Sequence, residues 1–323
     1  MKKYMMALGL SLLTVLGLFT GCSPKAETAS GSDSLEIVAT IFPEYDWVRQ
    51  VLGDRAGEVQ LTLLLDSGTD LHSYQPTAAD MLTIGECDLF LYNGGESDAW
   101  VERVLATAAN PDRRTLSVME VLGDSVLEEE VVEGMQEAED HDHAEGEAHE
   151  EEADEHVWLS LRNARTACAE IARVLGELDP DHAAEYQTNA ENYMAELEAL
   201  DGEYAALAEN AARRTVLVGD RFPFRYLMDD YGLEYYAAFS GCSAENEASF
   251  ETIAFLSGKT EELALPCILT TESPQPGVAE TIRSNTASGD QTILQLDSMQ
   301  SAGTGDNYLD IMKENLEVLR QAL

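Results

Sequence analysis

Short apolar runs rich in Val, Ile and Leu alternate along this chain with stretches whose apolar positions recur at helical spacing. Residues 35–40 (LEIVAT), 59–65 (VQLTLLL) and 89–92 (LFLY) read as strands, with helical patterns around 45–51 and 77–85 between them. A βαβαβ succession of this kind implies a parallel sheet flanked by helices. The second half repeats the scheme. Residues 215–218, 235–239, 267–270 and 292–296 predict strands, and residues 223–230, 250–263, 278–287 and 308–323 predict the helices that follow them. The fold class expected is therefore α/β, built twice.

The middle of the chain differs. Ala164, Ala167, Ile171, Val174 and Leu178 fall at helical spacing, and Asp179-Pro180 ends that helix and starts the next. From there Tyr186, Ala190, Tyr193, Leu197, Leu200, Tyr204, Leu207 and Ala211 form one apolar stripe. Within residues 180–212 the stripe runs over roughly 30 residues and predicts a helix about 45 Å long at ~1.5 Å rise per residue, a stiff spine packed against both halves. Gly202 is the one residue in the stripe region that works against its continuity.

At the N-terminus, Lys2 and Lys3 precede an apolar stretch from Tyr4 to about Phe19. It is too short for a comfortable membrane span and ends in small residues, so residues 1–21 read as an export signal. Phe19-Thr20-Gly21-Cys22 resembles the lipobox of bacterial lipoproteins, which implies lipidation of Cys22 and anchoring at the outer face of the membrane. Residues 22–34 are small, polar and aperiodic, as a flexible tether would be. The remainder suffices for two ordinary α/β units.

The formal net charge is −42. Such a surface repels nucleic acid and anionic lipid and attracts cations. No Lys or Arg occurs between Thr115 and Leu161, and residues 127–154 read as a disordered acidic loop. Of the six His in the chain, His141, His143, His149 and His156 fall in or at the edge of this stretch. Imidazole and carboxylate together suit zinc and similar divalent ions, so weak multi-site metal binding is expected of His141, His143 and His149. Cys87 and Cys168 sit in apolar contexts as core residues, while Cys242 and Cys267 leave a disulfide open. No CxxC pair is present, which argues against a thiolate zinc site, and no HExxH motif supports a metallohydrolase.

His72 follows the second strand, where open α/β sheets gather their ligands. His156 closes the acidic stretch; Asp220 follows the first strand of the second half, and Asp297 the last. Imidazole and carboxylate from both halves thus aim at one crevice suited to zinc or manganese. His182 reads as solvent-exposed, Trp47 and Trp100 as core, and Trp158 as packing beneath His156.

These residues resemble the cluster 9 metal-binding lipoproteins, the solute-binding subunits of zinc and manganese ABC importers, above all the zinc-type members with a His-rich loop. The likeness spans about residues 35–323 and rests on IVATIFPEYDWVRQVLGD, LHSYQPTAADM, CDLFLYNGGESDAWVERVL, DEHVWLSLRNA and QLDSM. It implies two pseudo-symmetric lobes, 35–179 and 213–323, joined by the rigid helix 180–212, with metal in the inter-lobe cleft. His72, His156 and Asp297 match the family's ligand positions. The family's third ligand, His or Glu, falls here on Arg221, which stays protonated and cannot ligate. Asp220 is the neighbouring replacement, and Glu272 a lesser one. The resemblance implies a non-enzymatic, monomeric, extracytoplasmic lipoprotein that captures zinc and hands it to an ABC permease. A manganese-binding member, or a surface adhesin with a vestigial metal site, is the alternative.

Overall fold

The computed structural model describes residues 34–66, 68–106, 110–136, 152–243, 247–272 and 277–323. The expected signal, Cys22 and most of the tether lie outside the described residues, as do His141, His143 and His149. Residues from Ser34 to Leu323 form one compact unit.

In the first half the strands are β1 (Glu36–Ala39), β2 (Gln60–Leu63), β3 (Leu89–Tyr92) and β4 (Arg114–Ser117), all parallel in the order β2-β1-β3-β4. Helices α1 (Phe42–Leu52), α2 (Ala78–Glu86), α3 (Val101–Leu105) and α4 (Val118–Leu122) flank them. The central strand buries Ile37, Val38 and Ala39 on both faces, as a parallel sheet covered by helices requires. Strand β4 was not read from the sequence, because only Leu116 and Ser117 of its four residues are buried and no apolar run marks it.

Helices α5 (Leu161–Leu178) and α6 (Ala183–Asn210) follow, and the second half repeats the layout. Strands β5 (Thr215–Phe222), β6 (Glu234–Ser240), β7 (Cys267–Thr270) and β8 (Thr292–Gln295) are parallel in the order β6-β5-β7-β8. The helices of this half are α7 (Arg225–Tyr231), α8 (Phe250–Glu262), α9 (Gly277–Asn285) and α10 (Tyr308–Ala322). In each sheet the chain leaves the first strand to one side and returns on the other, so each has a crevice at its carboxyl end. At Gly219 an added Cβ would stand 2.6 Å from the Ala279 backbone, so only glycine lets β5 lie this close to α9.

The long helix forms as its stripe predicts, through Tyr186, Ala190, Tyr193, Leu197, Leu200 and Tyr204; Ala208 then takes the buried position, and Leu207 is half-buried. Gly202 does not interrupt it. This helix is not alone: it packs along α5 and also meets α1 and α10. One apolar core runs through both halves, joining Ile37 and Leu91 to Leu197, Val218 and Leu316. Polar links reinforce it. The Tyr308 backbone N–H donates to Asp46 of α1 at 2.9 Å, and the Tyr204 hydroxyl donates to the Met312 carbonyl at 2.6 Å.

The acidic stretch is narrower as a loop than its charge suggests. Glu128 bridges Ala153 in antiparallel fashion, and Gln136 bridges Phe239. The Tyr226 hydroxyl takes a hydrogen bond from the Leu127 N–H and gives one to the Asp154 carbonyl. Residues 127–136 and 152–154 are therefore seated against the second half, because backbone pairing and the burial of Met135 outweigh charge density.

Candidate metal centre

His72 sits in the single helical turn Leu71–Ser73 beyond β2. Asp70 starts that turn, its carboxylate accepting from the His72 N–H at 2.9 Å. His156 precedes the turn Val157–Leu159, and its ring is fully buried. That turn is tied to the second half twice: Trp158 Nε1 donates to the Ser298 carbonyl at 2.9 Å, and the Tyr308 hydroxyl donates to the Trp158 carbonyl at 2.6 Å. The Trp158 ring packs 5.2 Å from that of His156, centroid to centroid.

The two imidazoles meet through Nε2, at 3.3 Å. Each has its other nitrogen occupied. His156 Nδ1 lies 2.9 Å from Asp154 Oδ1. His72 Nδ1 lies 2.9 Å from Ser97 Oγ and 3.3 Å from Glu155 Oε2, and the Ser97 hydroxyl itself donates to Glu155. Carboxylates only accept, so these partners assign the proton to Nδ1 on both rings and leave a lone pair on both Nε2 atoms. Burial works to raise the Glu155 carboxyl, but hydrogen bonds from His72 and Ser97 together outweigh it and hold the group below its ordinary value. Two nitrogens at ~2.05 Å from one tetrahedral zinc would stand about 3.3 Å apart. The observed spacing matches, and the carboxylates behind the rings are the outer partners that ligating histidines use.

A third ligand-type atom completes the cluster. The Cys242 sulfur lies with one ring nitrogen of His72 and one of His156 in a group whose atoms are all within 4.8 Å of one another. Cys242 follows β6, the counterpart in the second sheet of the strand that leads to His72. Its thiol is pushed up by burial, and by the acids Glu129, Asp154 and Glu155.

The expected carboxylate ligands each carry hydrogen bonds of their own. Asp220 lies within β5 and turns to β7, accepting from the hydroxyls of Thr270 at 2.9 Å and Thr271 at 2.8 Å. Asp297 accepts from the Met299 N–H at 2.7 Å and lines a cavity with Asp306, Asp310 and Glu314. Burial, and then the charge of Glu272, raise its carboxyl to about 6. Glu272 accepts from the backbone and hydroxyl of Ser298 and from the Gln300 N–H. These three acids are taken up by local backbone and hydroxyl donors, which spacing along the chain does not reveal. Arg221 reaches across to Asp70 at 3.0 Å, holding that carboxyl low against its burial.

Sequence reasoning passed over Cys242, Asp154 and Glu155. The adjacency of two acids to His156 was the available signal. The four described cysteines are free, so Cys242 and Cys267 form no disulfide. His182 bonds Asp179 at 2.8 Å, away from the cluster, while Trp47 and Trp100 are core residues.

Two open parallel sheets joined by a long helix thus gather imidazoles, a thiol and buried carboxylates at their carboxyl ends, the ligand types of a metal-binding solute-binding fold. The chain belongs to the family described as zinc-uptake complex component A, periplasmic, whose model matches residues 37–322. It is 32% identical over 323 residues to the zinc-binding lipoprotein AdcA of Streptococcus pneumoniae serotype 4, covering 99% of this chain and 61% of that protein. It is 30% identical over 303 residues to the high-affinity zinc uptake system protein ZnuA of Bacillus subtilis, covering 93% of this chain and 91% of the relative. The crystal structure of the Zn(II)-bound ZnuA-like domain of Streptococcus pneumoniae AdcA superposes with a TM-score of 0.69 at 27% identity, over 90% of this chain and 98% of that one. The chain thus spans less than two thirds of AdcA but most of ZnuA.

Proposed function

We propose that this protein captures zinc outside the cytoplasm and delivers it to an ABC importer, without catalysing a reaction. The observation that carries the reading is the pair of Nε2 lone pairs 3.3 Å apart, each ring held from behind by an acid. Two neutral imidazoles suit zinc better than manganese, which takes oxygen ligands more readily. Family membership and the zinc-binding names of the relatives support the same cargo. Among the described residues no helix is long and apolar enough to cross a membrane. Attachment through a lipidated Cys22, a monomeric state and a metal-collecting role for His141, His143 and His149 complete the reading.

The test is zinc competition against a chromophoric chelator with purified protein, followed by growth of cells dependent on this importer in zinc-depleted medium. His72→Ala and His156→Ala should each weaken tight zinc binding by at least about tenfold, the scale seen on losing even an outer partner of a ligand. Wild-type zinc affinity in both variants would overturn the reading.

A further inference from the structure

We infer that Cys242 supplies a sulfur ligand, so that the captured ion is held by two imidazoles and one thiolate. The inference rests on the functional reading above and specifies its ligand set. Three features point to it. The Cys242 sulfur shares one space with a ring nitrogen of His72 and a ring nitrogen of His156, every pair within 4.8 Å. In tetrahedral zinc a nitrogen at ~2.05 Å and a sulfur at ~2.3 Å stand about 3.6 Å apart, so a small inward movement of the thiol completes the geometry.

The backbone beside Cys242 is shaped for the approach. At Gly241 an added Cβ would stand 2.8 Å from His156 Cε1 and 2.9 Å from the Phe222 carbonyl oxygen. Only a residue without a side chain lets the end of β6 lie against the imidazole, and the next residue is the cysteine. The Cys242 N–H is anchored at 3.2 Å to Glu129, which fixes where the sulfur starts.

Other second-half groups near the sheet ends carry hydrogen bonds or an ion pair of their own. Asp220 is held by Thr270 and Thr271, Asp297 by the Met299 N–H, and Arg221 is paired with Asp70. Coordination converts the thiol to thiolate and releases its proton to solvent as the zinc–sulfur bond forms. A nitrogen–sulfur set is softer than the expected nitrogen–oxygen one and discriminates further against manganese.

Cobalt(II) reports the sulfur directly. Titrated into the metal-free chain, it should give an intense near-ultraviolet sulfur-to-cobalt charge-transfer band, which Cys242→Ser should abolish while cobalt still binds more weakly. Residues 137–151 contain no cysteine, so cobalt held there cannot produce the band. X-ray absorption of the zinc-loaded wild type needs no variant and should show a sulfur at about 2.3 Å. Zinc bound through His72 and His156 with neither band nor sulfur scatterer would overturn the Cys242 assignment and leave zinc capture standing. Failure of the wild type to bind either ion at those histidines would overturn zinc capture itself.

Discussion

At the scale of single residues, the candidate site depends on groups that stand behind its imidazoles. Asp154 holds His156 through Nδ1 and also takes the His156 backbone N–H at 2.8 Å, so one carboxylate oxygen sets both tautomer and ring position. Asp154→Asn keeps the shape but offers an amide that can present the wrong partner to the ring. Zinc affinity should fall by about 10- to 100-fold, with the melting temperature of the metal-free protein little changed. Unaltered affinity by chelator competition would mean that the carboxylate does not orient the ring. His72 and His156 were legible in the sequence because each sits at an element boundary where α/β sheets place ligands. Asp154 and Glu155 were not, since in a stretch so rich in acids nothing marks which two are buried against an imidazole. Cys242 escaped for a related reason: a lone cysteine has no spacing to read, and its partners lie 86 and 170 positions away, at His156 and His72.

At the scale of elements, the turn from β1 into α1 carries an unusual acid. Glu44 is fully buried, and its Oε2 accepts from the Thr40 N–H at 3.1 Å and the Thr40 hydroxyl at 2.9 Å, capping the helix from its third residue. Burial, with the nearby charge of Asp98, raises its carboxyl from 4.5 to about 8. A carboxyl whose value rises on folding binds its proton more tightly in the native state. Stability from this group is therefore present below the unfolded value and lost as pH climbs towards the folded one. Wild type should lose stability relative to Glu44→Gln between about pH 4.5 and pH 8, by on the order of 4 kcal/mol. Denaturant melts of the two proteins across that range check it, and parallel curves would rule it out. The elements themselves were largely readable. Strands β3 and β7 fall where their apolar runs place them, and α6 follows its stripe. Edge strand β4 was lost because half of it faces solvent.

At the scale of the whole molecule, the net charge of −42 surrounds a cation site. The field it creates should speed zinc capture, and salt should screen it. Stopped-flow capture rates should fall steeply as ionic strength rises from about 10 mM to about 500 mM, while the off-rate changes little. A flat dependence would show that the field does not reach the site. The sequence disclosed this charge and the doubled architecture, but not that the two halves share one core, since that depends on contacts between residues far apart in the chain.

That shared core has a mechanical consequence. With α6 laid across α1 and α10, and Trp158 stapled to Ser298, the molecule is braced like a girder bridge rather than hinged like a jaw. Prising the halves apart would wet side chains such as Trp158, Tyr204 and Tyr308, at roughly 4–6 kcal/mol for each aromatic exposed. Of residues 70–73 and 240–243, which carry the clasps, only Leu71 belongs to that core. Under the proposed function, zinc release is therefore expected at these clasps, with the frame that holds them left standing.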